Sequence, residues 1–516
     1  MKSKFAKSQA VGIGVSLLAT SQMAATKADE AMTDDAGIAR RPPNVLFITT
    51  DQQRWDTLNA TGNPHVNTPN LDRLAQMGVL FNHAYCNSPQ CMPSRASFLT
   101  GRYPNTTGVM HNGHALPERQ FEYLLSRRLH QEGFATGLAG KLHIHQERDR
   151  RLRSQSDERM MPHGHAEYHW SPTDTPSHWS ACQYQSWLRR RGLEQKIEPF
   201  GDSRHVVTNM CPETSQVAWG AEVAADFIVA QKKYRDGRQW YFNLNWFDPH
   251  DPWDPPLELL QRYLDRLDDI PLPNYVEGEL DNKPPHEREL MMGIQGYPDY
   301  VQMDFQSMTP NEHRLLRAAY FANVDMIDMH VGRILDALEE TGQLEDTLII
   351  FTSDHGEALG DHGLFLKGDF YYDPVVRVPL IIAWPGTIPG DRKTDAFVEL
   401  VDIVPTVLEA SGLEVDRFVH GRSLMPFLLE QTDQHRDSVI SMLANELIPR
   451  SSVMIRDEQY KLVWFSEGSD TGVLYNLVDD PNETHNLWDD PEYNEVRMKM
   501  MARLAERLGT IYDVSR

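Results

Sequence analysis

Short apolar runs alternate with stretches of helical spacing along most of the chain. Residues 44–50 form a continuous apolar, β-rich run, which is typical of a parallel strand buried on both faces. Helical stretches such as 315–340 separate this run from similar ones at residues 134–140, 240–247, 347–352 and 379–384. Strands that alternate with helices predict an α/β fold, with a large mixed, mostly parallel sheet between layers of helices.

The first predicted helix follows this opening strand. Thr68 precedes a proline, so it is placed to cap the helix while the proline fills its first turn. Leu71, Leu74 and Met77 recur at helical spacing, and Gly78 can end the helix. Extended chain is predicted to resume directly after it.

The pattern changes near residue 435. Short β-rich runs at 452–455, 460–465 and 473–477 predict antiparallel strands, and a charged helix is predicted over about 491–509. We therefore expect a main α/β domain over residues 44–435 and a small C-terminal α+β subdomain over residues 436–516.

The N-terminus has the pattern of an export signal. Three lysines within the first seven residues precede the apolar stretch 10–19, which is too short to span a bilayer. We expect residues 1–28 to be a signal peptide and residues 29–43 a flexible lead-in, which places the protein in the periplasm or outside the cell. Later apolar runs are all shorter than the roughly 20 residues of a transmembrane helix, so no membrane anchor is expected.

Composition limits the function classes. The 516 residues are 40% hydrophobic, enough for a sizeable core, and 50 basic residues stand against 74 acidic ones, a formal charge of −24. This balance argues against nucleic acid as a partner, because such binding needs a basic surface. It also repels an anionic substrate at long range, so a site for one must supply its own cations.

Cys91 begins the most informative motif of the chain. The run Cys-Met-Pro-Ser-Arg ends at Arg95, and Leu-Thr-Gly-Arg follows at 99–102. This string resembles the signature of the type I, formylglycine-dependent sulfatases of the alkaline phosphatase superfamily. The resemblance implies that a separate maturation enzyme oxidises Cys91 to formylglycine. One hydroxyl of the hydrated aldehyde then attacks sulfur in line, and the second expels sulfate as the aldehyde re-forms.

Cys91 also changes what the cysteines can do. The helix expected behind Pro93 would leave residue 91 at its N-terminal end, where backbone N–H groups favour negative charge. The remaining cysteines are Cys86, Cys182 and Cys211, so if Cys91 is consumed at most one disulfide can form.

Two predicted strands each end in an acidic pair. Asp51-Gln52 follows the first strand and Asp354-His355 follows the strand near 347–353. Ligand sites of α/β sheets lie at the carboxyl ends of strands, so the two pairs can meet, although a strand-end Asp can also merely cap a helix. The sulfatase resemblance implies that these four residues, with residue 91, hold one divalent cation.

The second residue of each pair departs from the family's common pattern, which has Asp where Gln52 stands and Asn where His355 stands. Oxygen ligands favour calcium or magnesium, and an imidazole shifts the preference toward manganese, zinc or iron. We expect Ca²⁺, with Mg²⁺ or Mn²⁺ as alternatives.

Other matches supply cations around the nucleophile. The resemblance assigns Lys141 and His143 to sulfate binding and hydroxyl positioning, and His250 to sulfate contact or general acid catalysis. It places Lys367 near the leaving-group oxygen and makes Arg95 part of the catalytic set. Lys141, His250 and Lys367 are thus the expected substrate-binding residues. Preorganised positive groups around developing charge are an expected source of rate.

Three further features have weaker support. The basic clusters at 148–153 and 189–191 can bind a sulfated polysaccharide, although a solvated face is the better interpretation. His163, His165 and His169 can form a second metal site, but their spacing matches no standard pattern, and a substrate-side loop is preferred. Trp246 and Trp253 can line a pocket or pack in the core.

Three functions are compatible with the chain. The leading one is hydrolysis of a sulfate ester, with a sulfated saccharide as the preferred substrate of an exported enzyme. The second is hydrolysis of phosphonate monoesters or phosphodiesters on the same fold, which the imidazole of His355 favours. The third is non-catalytic binding of sulfated glycans if Cys91 is never converted, and the intact set of lysines, histidines and metal ligands argues against it.

Overall fold

The computed structural model describes residues 32–33, 39–145, 161–173, 182–203, 205–208, 211–234, 237–292, 303–445, 450–466 and 472–513. The predicted signal peptide and the basic cluster at 148–153 lie outside these residues. The chain divides into two units, residues 1–42 and 43–516. Within the first unit, Met32–Thr33 pairs antiparallel with Ala39–Arg40.

The strands, in chain order, are β1 Met32–Thr33, β2 Ala39–Arg40, β3 Asn44–Thr50, β4 Gly78–Tyr85, β5 Ala135–Gly140, β6 Glu167–Trp170, β7 Glu198–Pro199, β8 Val207–Thr208, β9 Trp240–Asn245, β10 Thr347–Ser353, β11 Arg377–Val378, β12 Leu380–Ala383, β13 Arg392–Glu399, β14 Val439–Asn445, β15 Arg450–Arg456, β16 Tyr460–Phe465 and β17 Gly472–Asn476.

The α-helices are α1 Pro69–Gln76, α2 Cys91–Thr100, α3 Pro104–Thr107, α4 Leu125–Gln131, α5 Gln183–Arg190, α6 Gln216–Tyr234, α7 Leu257–Leu264, α8 Pro285–Met291, α9 Pro310–Glu340, α10 Asp373–Val376, α11 Ile403–Ala410, α12 Met425–Leu428 and α13 Asn494–Asp513. Among the described residues, none of the helices is long and apolar enough to cross a membrane.

The second unit is built on one nine-stranded sheet. Its strand order is β11-β4-β12-β10-β3-β9-β5-β6, and β13 pairs with β4 off this path. The run β10-β3-β9-β5-β6 is parallel throughout, whereas β12 pairs antiparallel with both β10 and β4. The predicted mixed, mostly parallel sheet is confirmed.

Both faces of the central strands are buried. In β3, Val45 and Phe47 belong to one hydrophobic cluster, and Leu46 and Ile48 belong to the cluster on the opposite face. Such double burial favours apolar residues at consecutive positions, which is why residues 45–48 form a continuous apolar run. The alternation of strands and helices in the sequence follows from the same arrangement.

The first helix is capped differently from the prediction. Pro69 begins α1, but the side chain of Thr68 makes no capping hydrogen bond. Instead, Asp328 of α9 accepts hydrogen bonds from the backbone N–H groups of Asn70 and Leu71, at 2.9 and 2.7 Å. The cap is supplied by a residue 257 or more positions away, so local sequence could not reveal it.

The prediction that Gly78 ends α1 is wrong. The helix ends at Gln76, and Gly78 is the first residue of β4. A Cβ atom at this position would lie 2.2 Å from the backbone oxygen of Ile382 in β12, closer than real Cβ atoms approach. Only glycine lets the two strands come this close. The residue therefore marks a close backbone approach within the sheet.

The C-terminal part forms its own small sheet. Strands β14 to β17 pair antiparallel in chain order, and α13 packs on them through a separate hydrophobic cluster. Strands β15, β16 and β17 and helix α13 match the sequence prediction. Strand β14, which was not predicted, is an edge strand of this sheet and pairs with β15. The boundary at residue 435 stays a prediction.

Two side-chain predictions are resolved by burial. Trp246 and Trp253 are fully buried in the hydrophobic cluster on one face of the main sheet. Their burial supports core packing over the alternative that they line a pocket. All four cysteines are free thiols, in agreement with a fold that does not depend on disulfides.

Candidate active site

The site forms where β3 and β10 end side by side. Their parallel register pairs Thr50 with Ser353, so the residues that follow, Asp51 and Asp354, are neighbours. Oδ1 of Asp354 accepts the backbone N–H of Gln52 at 3.0 Å and of His355 at 2.9 Å. The two predicted acidic pairs therefore meet at one sheet edge.

Cys91 occupies the first position of α2 and is 1% exposed. Its Sγ atom, which marks where the oxygens of a hydrated aldehyde would lie, is 3.1 Å from Nε2 of His355 and 3.7 Å from Oδ1 of Asp51. The helix N-terminus is capped by Asn112, whose Oδ1 accepts the N–H of Met92 at 3.0 Å. Residue 91 thus lies at a helix N-terminus against the acidic pairs.

One group of metal-ligating side chains forms among the described residues. Asp51, Cys91, Asp354 and His355 are all buried, and one potential ligand atom from each lies within 4.8 Å of the others. The Nδ1 of His355 donates to the carbonyl of Gly356 at 2.9 Å, which leaves Nε2 to face the group. This tautomer and two adjacent carboxylates fit a divalent cation.

Arg95 joins the parts of this group. Its Nε atom donates to Asp354 at 2.8 Å, one terminal nitrogen donates to Asp51 at 3.0 Å, and the other donates to the carbonyl of Lys141 at 2.7 Å. The guanidinium is 1% exposed and is fully engaged by these contacts. It can therefore orient the two carboxylates rather than bind substrate directly.

Lys141 and His143 reach the group from the end of β5. The ammonium of Lys141 lies 2.6 Å from Oδ2 of Asp51. The imidazole of His143 interacts electrostatically with the side chain of Cys91, and the residue has a left-handed backbone, with φ at 53°. The strand end thus delivers one cation and one imidazole beside residue 91.

His250, Lys367 and Gln52 form the other side. Nζ of Lys367 is 2.7 Å from Nε2 of His250, whose Nδ1 lies 2.7 Å from the carbonyl of Asp251. Lys367 also donates to the side-chain oxygen of Gln52. Gln52 also belongs to the predicted set of metal ligands. Its side-chain oxygen already accepts a hydrogen bond from Lys367.

The electrostatics favour negative charge at residue 91. Burial opposes ionisation, but Lys367, Lys141 and His355 hold the pKa of the Cys91 thiol well below its usual range. Burial also lowers the pKa of His355, yet Asp354 and Cys91 outweigh it and raise that pKa to about 9. Burial, with the adjacent Asp51, raises the pKa of Asp354. The site thus combines crowded carboxylates with cations placed around the nucleophile position.

The less favoured alternative of a second metal site at His163, His165 and His169 is not supported, and the preferred substrate-side loop stays a prediction. Nδ1 atoms of His163 and His165 are 3.2 Å apart and both rings lie near Tyr168, but the described residues contain only the ligand group around Asp51. Of the second basic cluster, Arg189 and Arg190 are exposed on α5, as a solvated face requires.

Sequence reasoning missed three residues that support the site. Asn112 caps the nucleophile helix, Asp251 contacts His250, and both oxygens of Glu357 accept hydrogen bonds beside Gln52 and Lys367. Asp251 and Glu357 each lie within two residues of a predicted site residue, a proximity that could have drawn attention to them. Nothing in the local sequence indicates the role of Asn112.

This sheet, with two acidic strand ends facing a candidate nucleophile at a helix N-terminus, agrees with the resemblance to the alkaline phosphatase superfamily of hydrolases. The family model "Sulfatase" matches residues 43–413, and the model "N-sulphoglucosamine sulphohydrolase, C-terminal" matches residues 360–509. The chain belongs to the sulfatase family, and it is a sulfuric ester hydrolase.

Individual proteins show the same similarity. The chain is 30% identical over 465 residues to a choline-sulfatase of Rhizobium meliloti, covering 87% of this chain and 83% of the relative. It is 25% identical over 517 residues to an N-acetylglucosamine-6-O-sulfatase of Bacteroides thetaiotaomicron, covering 90% and 86%. A crystal structure of the phosphonate monoester hydrolase of Agrobacterium radiobacter has a TM-score of 0.74 at 28% identity, covering 91% of this chain and 96% of that one.

Proposed function

We propose that the protein hydrolyses the sulfate ester of a sulfated saccharide, with formylglycine derived from Cys91 as the nucleophile. The supporting observation is the position of Cys91 at the start of α2, in hydrogen-bonding reach of His355 and next to Asp51. A maturation enzyme that oxidises the thiol is the implied protein partner.

The surrounding side chains have distinct roles in this proposal. Lys141 and His143 hold the sulfate and the nucleophile's hydroxyl groups from the β5 side. His250 and Lys367, 2.7 Å apart, face the departing oxygen from the opposite side and can supply its proton. Arg95 acts by orienting Asp51 and Asp354.

The proposed metal ligands are Asp51, Gln52, Asp354, His355 and residue 91. The oxygen of Gln52 has two lone pairs, so the hydrogen bond from Lys367 leaves one for an ion. When bound, a divalent cation stabilises negative charge on the nucleophile and the sulfate. We propose Ca²⁺ because most of these ligands are oxygens, with Mg²⁺ or Mn²⁺ as alternatives.

The choice of a saccharide rests on similarity and on the expected location. One reported relative is an N-acetylglucosamine-6-O-sulfatase, whereas the choline-sulfatase represents a small sulfated alcohol. The N-terminal pattern supports export to the periplasm or beyond, where saccharides are accessible substrates.

Purified, matured enzyme assayed against sulfated monosaccharides, choline sulfate and aryl sulfates tests the substrate, with metal content measured on the same batch. We expect sulfate release to be fastest with a saccharide. The tryptic peptide of residues 74–95 should have lost the thiol and gained an aldehyde by mass spectrometry.

The Cys91→Ser variant should lose turnover, because a serine can attack but cannot expel sulfate as an aldehyde does. A Cys91→Ser enzyme with the wild-type steady-state rate, or an active enzyme that retains the thiol at residue 91, contradicts the proposal.

A second candidate is hydrolysis of phosphonate monoesters or phosphodiesters. It is favoured by the imidazole of His355 in the ligand group and by the similarity to the phosphonate monoester hydrolase. Parallel assays of an aryl sulfate and an aryl phosphonate monoester separate the two. A kcat/KM that favours the phosphonate by more than tenfold replaces the first proposal.

A further inference from the structure

Glu357 is a fully buried carboxylate that lies three residues beyond the ligand Asp354 and has no role in the proposed reaction so far. One of its oxygens, Oε1, accepts the backbone N–H groups of Leu359 at 2.8 Å and Leu366 at 2.5 Å. The other, Oε2, accepts a hydrogen bond from the side-chain nitrogen of Gln52. Burying a carboxylate is costly unless its hydrogen bonds are satisfied, and these contacts satisfy it.

Glu357 is the main acceptor that orients the Gln52 amide, and Oδ1 of Asp251 makes a longer contact of 3.4 Å with the same side-chain nitrogen. An ionised carboxylate can only accept, so Gln52 must present its nitrogen to Oε2 and its oxygen to the opposite side. On that side the oxygen accepts the ammonium of Lys367. The backbone of Gln52 is also held, because Asp354 accepts its N–H at 3.0 Å and Tyr320 donates to its carbonyl at 2.6 Å.

The same carboxylate closes the loop that leads to Lys367. Ala358 donates to the carbonyl of Leu366 at 3.0 Å, so the chain returns on itself just before the lysine. Leu359 and Leu366 both have left-handed backbones, with φ at 50° and 62°, and both donate to Oε1 of Glu357. Left-handed leucines are unfavourable, so this loop needs external contacts to keep its shape.

We propose that Glu357 is a positioning residue for sulfate-ester hydrolysis. It shapes the loop that delivers Lys367, and it fixes the Gln52 amide so that its oxygen holds the lysine beside His250. This inference rests on the proposed function, because it gives the Lys367–His250 pair its place next to the departing oxygen.

The Glu357→Gln variant tests the donor and acceptor pattern. The new amide must keep its oxygen on the two backbone N–H groups, so its nitrogen faces the nitrogen of Gln52. Relief of this clash turns the Gln52 amide, with loss of its long 3.4 Å contact to Asp251, and presents a donor to Lys367, which repels the ammonium. The lysine should then leave His250.

The kinetic readout is the dependence on the leaving group. An alkyl sulfate needs help at the departing oxygen, whereas 4-nitrophenyl sulfate has a good leaving group and needs less. For Glu357→Gln we expect kcat/KM to fall about 100-fold with the alkyl sulfate and about tenfold or less with the aryl sulfate. The matched control is Glu340→Gln, an exposed residue at the end of α9, which should retain wild-type rates.

A charge-conserving exchange provides the rescue. In the double variant Glu357→Gln/Gln52→Glu, the new amide nitrogen again faces an acceptor, and residue 52 can still hold Lys367. We expect it to regain at least tenfold in kcat/KM for the alkyl sulfate over Glu357→Gln alone. If Glu357→Gln does not fold, Glu357→Asp, which withdraws the carboxylate by one methylene, should show the same selective loss.

A second readout is independent of turnover. Acetylation of Lys367 by an amine-reactive ester, followed by peptide mass spectrometry, should be several-fold faster in Glu357→Gln than in wild-type protein because the ammonium is released. An equal loss for both sulfates, no rescue by the exchange, or unchanged labelling of Lys367 overturns the inference. Absence of sulfate-ester turnover in the wild-type enzyme overturns the proposed function instead, and the labelling comparison still decides the role of Glu357.

Discussion

Replacement of Asp328 by asparagine should change how the stability of the fold depends on pH. Asp328 is 1% exposed, and burial raises its pKa from the ordinary 3.8 to about 6. One carboxylate oxygen caps α1 through the N–H groups of Asn70 and Leu71, and the other accepts the side chain of Asn70 at 2.8 Å. An asparagine can keep its oxygen on the two backbone groups and still meet the Asn70 amide after that amide rotates.

The magnitude follows from proton linkage. Below pH 3.8 the Asp328 carboxyl is protonated in both folded and unfolded chains, and its stabilising effect is fully present. As pH rises, the unfolded chain releases the proton near 3.8, whereas the folded chain holds it until about 6. The free energy of unfolding therefore falls by about 3 kcal/mol over the whole titration, at about 1.4 kcal/mol for each pKa unit, and about 2.4 kcal/mol of this fall lies between pH 4 and pH 7.

Thermal or urea unfolding of wild-type and Asp328→Asn proteins from pH 4 to pH 7 measures this difference. The variant should gain stability relative to wild type as pH rises, by about 2.4 kcal/mol between pH 4 and pH 7. Asp325, whose pKa burial raises to about 7, is present in both proteins, but the charge of Asp328 also raises that pKa, so the gain of the variant includes relief of this repulsion, which has the same sign. The control Asp328→Ala should lose the cap and about 1 kcal/mol at pH 4. A constant stability difference between wild type and Asp328→Asn across this range refutes the reasoning.

Two further predictions concern packing and the metal. Gly78→Ala should destabilise the fold by about 1–3 kcal/mol in urea unfolding, because its Cβ would lie 2.2 Å from a backbone oxygen of β12. Gly509→Ala, on α13 with nothing within 4 Å of the added Cβ, should stabilise it by up to about 1 kcal/mol, and equal effects at the two positions would contradict this account. A chelator should abolish sulfatase activity, and Ca²⁺ should restore it more fully than Mn²⁺; a larger recovery with Mn²⁺ would make His355 the residue that selects the ion.

The fold was predictable where burial is uniform. Strands β3 and β10 each contain four consecutive apolar residues because both faces are covered, and this pattern is visible in one sequence. The meeting of Asp51 and Asp354 was also predictable, because parallel strands place their carboxyl ends on the same edge. Cys91 was identified from its sequence motif. The pattern of hydrophobic and polar positions alone does not distinguish it from any other cysteine.

Contacts between distant segments explain what the sequence could not show. The cap on α1 comes from Asp328, the cap on α2 comes from Asn112, and the closeness of β4 to β12 requires Gly78. In each case the sequence offered a local explanation or none, while the actual partner lies 20 to 304 residues away. Glu357 was overlooked because its partners, Gln52 and Leu366, are brought to it only by the folded loop.

The burial of α2 has a consequence for how an active molecule is produced. All ten residues of this helix are buried, and Cys91 is 1% exposed, so an oxidising enzyme cannot reach the thiol once the chain has folded. Under the proposed mechanism, conversion of Cys91 to an aldehyde therefore precedes folding, and the folded chain then shields the aldehyde from amines. On the same proposal, chains that fold before conversion stay inactive, so the specific activity of a preparation would measure the fraction of chains converted before folding.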